Sequence, residues 1–432
     1  MHRITVSLLA LTALSLPFTA QAESLDTMLR TVVNQHPRIA AAKHDVQAAN
    51  ASKEEAFSGY LPTVDVNGSI GYEDIDRREL IPAGSQTEED TTTYSAAITQ
   101  NVFRGFSTQT AVETADINTA IAQYELANTH QQIVLEGINA YIEVLRFVEL
   151  SNLALENQSN LRSQLNLEDE RVKRGSGIAV DALQAKSRLQ ISAERHTAFM
   201  GGLQDAISRY AQIFNRAPDL SNMARPPLPL EHVPDSLKQA VQIAIANNPQ
   251  LASSKKNVLR AEKNQISAKS GYYPSVDIVA ATSHDENVSG IVGEEERQSV
   301  RLQTSWQIFS GFADRSRVKQ ATYGYHSAKE TAQYAQRKVV EEVKFAWSSM
   351  TTNQRRMQLL DNAVNIAGEV YDARTRLRDA GSETALNVLD AENELYRARI
   401  DAASARYDYY LSVYRLLMAM GQLSVDTATP RS

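Results

Sequence analysis

Eight histidines are the first residues in this chain that could bind a metal or move a proton, and they stand at 2, 36, 44, 130, 196, 232, 284 and 326. None forms a His-Glu-x-x-His pair or a comparable ligand spacing, so no metal site is expected. The chain contains no cysteine, which removes disulfides, thiolate ligands and thiol nucleophiles together. It also lacks a Gly-x-Ser-x-Gly elbow, a phosphate-binding loop and a Gly-x-Gly-x-x-Gly turn, so neither a catalytic residue nor a cofactor is expected. The polar groups that do fall into a pattern are carboxylates beside two glycine turns. Asp181 follows Gly175-Ser176, and Asp390 follows Gly381-Ser382. On the residues alone, Asp181 reads as a helix-start acid and Asp390 as an exposed helix carboxylate.

The elements that position these carboxylates follow from a repeat. Glu23-Ser24-Leu25 matches Asp235-Ser236-Leu237 and His36-Pro37 matches Asn248-Pro249, at an offset of 212 (Leu25 to Leu237). Gly59-Tyr60-Leu61-Pro62-Thr63-Val64-Asp65-Val66 then returns as Gly271-Tyr272-Tyr273-Pro274-Ser275-Val276-Asp277-Ile278. From Asn101-Val102-Phe103-Arg104-Gly105-Phe106 and Gln307-Ile308-Phe309-Ser310-Gly311-Phe312 onward the offset is 206 (Phe106 to Phe312), a loop six residues shorter in the second copy. The chain is therefore a tandem duplication. Its expected parts are a signal peptide at 1–22, a first repeat at 23–217, a proline-rich linker at 218–234, a second repeat at 235–422 and a tail at 423–432. The linker carries Pro218, Pro226, Pro227, Pro229 and Pro234, which no helix could absorb.

Within each repeat the hydrophobic period changes. Val64, Val66, Gly68, Ile70 and Tyr72 alternate with Thr63, Asp65, Asn67, Ser69 and Gly71, which predicts a strand with one apolar face. Strands are expected at about 62–74, 91–103, 274–285 and 298–309, each about the 10 residues that a tilted strand needs to cross a bilayer. Glu73 to Asp90 and Asp285 to Arg297 read as long charged loops. Four strands cannot close a barrel, so several copies would have to pool theirs.

From Val318 to Tyr371, apolar residues recur at spacings of three and four, a heptad seam on one long helix. Such a helix of about 65 residues would be on the order of 100 Å long. Lys173-Arg174-Gly175 and Arg376 to Gly381 end the long helices, with Gly175 and Gly381 at the two hairpin tips. Ser176 and Ser382 are expected to begin the returning helices as N-caps.

At the N-terminus, His2-Arg3, the apolar run Ile4 to Leu16, Pro17 and Ala20-Gln21-Ala22 read as a secretory signal cleaved after Ala22. No cysteine follows that could carry a lipid anchor. The formal net charge of −7 argues against a nucleic-acid surface.

Taken in this order, the signal, the duplication, Gly-Tyr-x-Pro before each hairpin, Phe-Arg-Gly-Phe and Phe-Ser-Gly-Phe after it, and Gly-Ser-Glu-Thr-Ala-Leu-Asn-Val-Leu-Asp-Ala at the second tip resemble the TolC-like outer-membrane efflux family. The resemblance implies a mainly α fold: a long coiled-coil α-helical barrel plus four β-strands per protomer, assembling as a homotrimer with a twelve-stranded membrane barrel. It implies an outer-membrane channel reaching into the periplasm, a passive conduit for type I protein secretion, drug efflux or both. The partners implied are a periplasmic adaptor (membrane fusion) protein and an inner-membrane ABC or proton-driven transporter. It also implies a constriction near the second tip, with Asp390 and Asn387 at the narrowing and Glu383 and Asp181 beside it. Asn387 stands where an acid is common, and Glu383 where a basic residue is common. The competing expectation is a soluble periplasmic coiled-coil adaptor or scaffold, which outer-membrane fractionation would separate. An envelope enzyme would need a catalytic constellation that the sequence does not offer.

Overall fold

The computed structural model describes residues 25–77, 85–176 and 178–429. The expected signal peptide lies outside the described residues. Each half of the chain opens with two short helices: α1 (Leu25–Gln35) and α2 (Pro37–Ser58), then α5 (Leu237–Asn247) and α6 (Pro249–Ser267). The matched dipeptides His36-Pro37 and Asn248-Pro249 explain the break between them. The His36 and Asn248 side chains accept the free N–H groups of Arg38 and Leu251, and the proline occupies the first turn, where its missing N–H costs nothing.

Two strands follow in each half, β1 (Thr63–Arg77) with β2 (Ser85–Arg104), and β3 (Ser275–Glu286) with β4 (Glu294–Ser305). They form one antiparallel sheet in the order β1-β2-β3-β4, leaving β1 and β4 as open edges. The register aligns Val64, Ile98, Ala280 and Val300 in a row across all four strands, with Val66, Ala96 and Thr282 in the next. The opposite face aligns Asn67, Ser95, Ser283 and Arg297. Val66 is 78% exposed and Ile70 79%, so the apolar face has no covering layer within the chain.

The strands depart from the expected bounds at two places. β1 and β2 continue into the charged stretch Glu73 to Asp90, and β3 and β4 into Asp285 to Arg297, so much of the expected loop is ladder. Charged side chains do not prevent pairing where both faces meet water. The ends are tied together as well: the Ser289 N–H donates to Glu73 Oε2 at 2.8 Å and Asn287 Nδ2 donates to the Asp90 carbonyl at 3.2 Å. At the other end β4 stops at Ser305, leaving Trp306 and Ile308 exposed beyond the ladder.

Strand gives way to long helix through Gly105-Phe106 and Gly311-Phe312, where all four residues are left-handed (φ 58, 68, 64 and 65°). Left-handed phenylalanine is costly. Edge-to-face contacts of Phe106 with Phe103 (5.3 Å between centroids) and Phe312 with Phe309 (5.4 Å) hold each turn. The helices that follow, α3 (Ser107–Lys173) and α7 (Ala313–Asp379), each have 67 residues, roughly 100 Å at about 1.5 Å per residue.

α4 (Ala179–Phe214) and α8 (Ala385–Ala419) return antiparallel along them. α2 lies along the first part of α3, fixed by Arg38–Glu136 (2.8 Å) and Lys53–Asp116 (2.7 Å), and α4 along the rest, with Asn157 bonded to Ser192. α6 meets α3 through Lys263–Glu113 (2.8 Å), and α8 meets it through Arg146–Asp408 (2.5 Å) and Arg399–Glu156 (3.1 Å), which joins the two repeats.

The core sits midway along the long helices, far from both sheet and tips. Leu29, Ile133, Ile138, Tyr141, Leu251, Val343, Tyr414, Leu416 and Leu417 are its buried centre. The segment between α4 and α5 is pinned to this core: Tyr141 Oη donates to the Ala224 carbonyl at 2.9 Å. The short C-terminal helix α9 (Val425–Ala428) closes it against α1, where Thr429 Oγ1 donates to Asp26. Along α7 the seam is buried only at Val339, Val343 and Met350, while Tyr334, Phe345 and Ile366 are more than 60% exposed in the single protomer.

Candidate constriction at the hairpin tips

Both tips are built by the same backbone device. Gly175 and Gly381 are left-handed (φ 73 and 75°), with open space around them. The Gly175 and Ser176 N–H groups donate to the Val172 and Arg171 carbonyls, both at 3.0 Å, and Gly381 and Ser382 do the same to Arg378 and Leu377, both at 2.9 Å. This satisfies the last carbonyls of α3 and α7. It also corrects the expectation for the two serines. Ser176 Oγ donates backward to the Arg171 carbonyl, and the residues preceding α4 and α8 are Ile178 and Thr384. A serine already spent on ending one helix stands too early to open the next. Thr384 caps α8 by accepting the Asn387 N–H at 3.3 Å.

The four carboxylate and amide positions singled out from sequence are held differently. Asp181 sits in the first turn of α4, half-buried, with no side-chain hydrogen bond among the described residues. Glu383 precedes α8. Its carboxylate accepts from the Asn387 side-chain amide and from the Thr384 N–H at 3.0 Å, and it pairs with Arg374 of α7 at 3.3 Å. These donors, the Asn387 amide foremost, hold the Glu383 carboxyl below the usual glutamate range. Glu383 and Asn387 therefore stabilise the second hairpin from within, and neither bonds to Asp181. Asp390 lies one turn further along α8 and is exposed. Its Oδ1 accepts from Arg188 Nη2 of α4 at 2.6 Å, a contact between the two hairpins.

Two functional candidates were not singled out from sequence. Arg188 lies seven residues after Asp181, two helical turns along the same face. Glu392 is 5% exposed and accepts from Gln164 of α3 at 2.5 Å. Its position was open to inference, because Val388, Leu389, Leu395 and Tyr396 surround it at the spacing of a buried helix face, and all four are buried. Burial pushes the Glu392 carboxyl up, opposed by the bonds from Gln164 and Asn160 and by the charges of Arg188 and Arg378. Just beneath it, Leu161, Ala185 and Leu389 form a small apolar cluster joining α3, α4 and α8.

The sign of the pH effect follows. Folded Glu392 holds its proton more tightly than the unfolded chain does, so stability falls as pH rises from the ordinary glutamate value through the raised one. Glu392→Gln is expected to flatten that slope and raise the melting temperature at neutral pH. Melting curves from pH 4 to 8 check it, and an unchanged slope in the variant would contradict the assignment.

A tunnel-length helical body with an uncovered apolar sheet at one end and hairpin tips at the other matches one known group of proteins. The outer membrane efflux protein family model matches residues 28–208 and 240–422. The chain belongs to this family. The two matched segments fall one in each repeat. Among curated relatives, the outer membrane efflux protein BepC of Brucella suis biovar 1 (strain 1330) is 23% identical over 412 residues, covering 94% of this chain and 88% of that protein. Outer membrane protein TolC of Escherichia coli (strain K12) is 24% identical over 422 residues, covering 94% and 83%. Among solved structures, the outer membrane protein VceC of Vibrio cholerae superposes with a TM-score of 0.79 at 16% identity, covering 92% of this chain and 96% of that one. The protein is thus an outer-membrane efflux-family channel whose helical body extends into the periplasm.

Proposed function

We propose that three copies close a twelve-stranded barrel in the outer membrane and a helical tunnel below it, forming the outer-membrane duct of a tripartite export system. A periplasmic adaptor (membrane fusion) protein and an inner-membrane ABC or proton-driven transporter open the tunnel. Cargo, a secreted protein, a drug or both, passes with no covalent chemistry in the duct. The observation that carries this reading is the sheet: an apolar row crosses all four strands while β1 and β4 remain unpaired. Unpaired edges in hydrocarbon leave backbone groups without partners, and joining β1 of one copy to β4 of the next removes every edge. The exposed apolar residues of α7 fit the same assembly, as contacts between neighbouring protomers.

In this reading the hairpin tips form the periplasmic gate, with Asp390 at the constriction and Asn387, Glu383 and Asp181 beside it. Glu383 and Asn387 keep the second hairpin intact, while the Arg188–Asp390 contact between hairpins yields on opening. Fractionation and gel migration test the assembly. The expected result is an outer-membrane protein that runs as a trimer unheated and as a monomer after boiling, whose deletion abolishes export of a secreted protein or tolerance to a drug. A soluble periplasmic monomer with export intact would contradict it.

A further inference from the structure

We propose that Arg188 sets the ion selectivity of the resting channel, before the hairpins part, by neutralising Asp390 at the constriction. The proposal rests on the reading that Asp390 lines that constriction. Arg188 Nη2 donates to Asp390 Oδ1 at 2.6 Å, and the two side chains are unequally placed: 24% of Arg188 is exposed against 60% of Asp390. The cation is set into the wall and the carboxylate stands out from it. Charge-assisted pairing at this distance replaces the field of a lone carboxylate with that of a dipole, which falls off faster with distance.

Three further observations favour this arrangement. Position 387 is an asparagine, so Asp390 has no second carboxylate one turn earlier to outweigh the arginine. Arg195 and Arg397 line the same small polar pocket as Arg188, and neither has an ion-pair partner among the described residues. Their charges oppose any turn of the Arg188 guanidinium back into that pocket. Behind it lies buried Glu392, which accepts from Gln164 and makes no hydrogen bond or ion pair with Arg188 among the described residues, so the guanidinium is left to Asp390. In a three-fold ring, each Asp390 is matched by one Arg188, and the ring carries no net charge from this position.

The test is the potassium-to-chloride permeability ratio, taken from reversal potentials of the full-length protein in planar bilayers under a salt gradient. Wild type is expected to select weakly. Arg188→Gln uncovers Asp390 and is expected to raise cation preference several-fold, whereas Asp390→Asn uncovers Arg188 and shifts preference toward chloride. The double variant returns close to wild type, and Arg188→Lys, which keeps the charge, stays there. If Asp390→Asn shifts selectivity but Arg188→Gln does not, or if Arg188→Lys behaves like Arg188→Gln, the neutralising role is overturned while the constriction reading stands. If neither single variant alters conductance or selectivity, Asp390 is not at the constriction and both readings fail. Should Arg188→Gln not assemble, the swapped pair Arg188→Glu with Asp390→Lys preserves the contact. Wild-type selectivity in the swap supports a neutral unit, and a strong chloride preference overturns it.

Discussion

Val66→Arg is expected to prevent accumulation of the protein in the outer membrane, while Asn67→Arg, one residue away, is tolerated. Val66 lies beside the middle of the apolar run Val64 to Tyr72 and shares its face with Ala96 and Thr282. Asn67 shares the other face with Ser95, Ser283 and Arg297. Both side chains are exposed in the single protomer, so burial within the chain predicts no difference between them. Lipid does. An arginine on the lipid face near mid-membrane costs about 2–4 kcal/mol, and the closed trimer proposed above would incur it three times. On the lumenal face the same side chain meets water and other polar groups. Quantitative blotting of outer-membrane fractions measures both variants. Equal loss in the two would mean that neither face is distinguished by lipid.

Gly105→Ala is expected to be far more damaging than Gly311→Ala, although the two positions correspond in the repeat and share a left-handed backbone. At Gly311 an added methyl meets open space, so the cost is the left-handed conformation alone, about 1–2 kcal/mol. At Gly105 the methyl would stand 2.5 Å from the Ser270 carbonyl oxygen and 3.1 Å from Tyr273 Cβ. Backbone must move to relieve that overlap, which adds roughly 1–3 kcal/mol. The turn from β2 into α3 packs against the approach to β3, whereas the turn from β4 into α7 belongs to an open edge. Thermal stability of the purified protein distinguishes the two. A loss at Gly311→Ala equal to that at Gly105→Ala would indicate that in the assembly the second turn is as enclosed as the first.

That contrast also marks where the sequence stops being informative. The duplication follows from residue matches at fixed offsets, and the alternating strands and long helices from periodicities of two and of three to four, because those patterns report which faces are apolar. Gly105 and Gly311 could be read as turn residues. Left-handed Phe106 and Phe312 could not, since their conformation depends on ring contacts with Phe103 and Phe309. Spacing likewise misjudged Ser176 and Ser382, because a serine after a glycine serves either the helix that ends or the one that begins, and only the turn geometry decides.

At the candidate constriction the limit is one of distance along the chain. Asp390 and Asp181 could be picked out by their place after each glycine turn. The residue that contacts Asp390 is Arg188, 202 positions away, and nothing in local spacing pairs them. Glu392 was legible in principle from its apolar neighbours. Its significance is not local either, since Gln164 on α3 and Arg188 on α4 surround it from other helices.

In the proposed reading, copies of this chain form a pore through a lipid bilayer with no other protein present. Single-channel recording of the purified full-length protein in planar bilayers tests it most directly. The account predicts spontaneous insertion and discrete, small conductance steps, as expected of a wide barrel whose periplasmic tip is closed at rest. A protein that never produces steps under conditions where it remains folded would contradict the account and favour a soluble periplasmic scaffold.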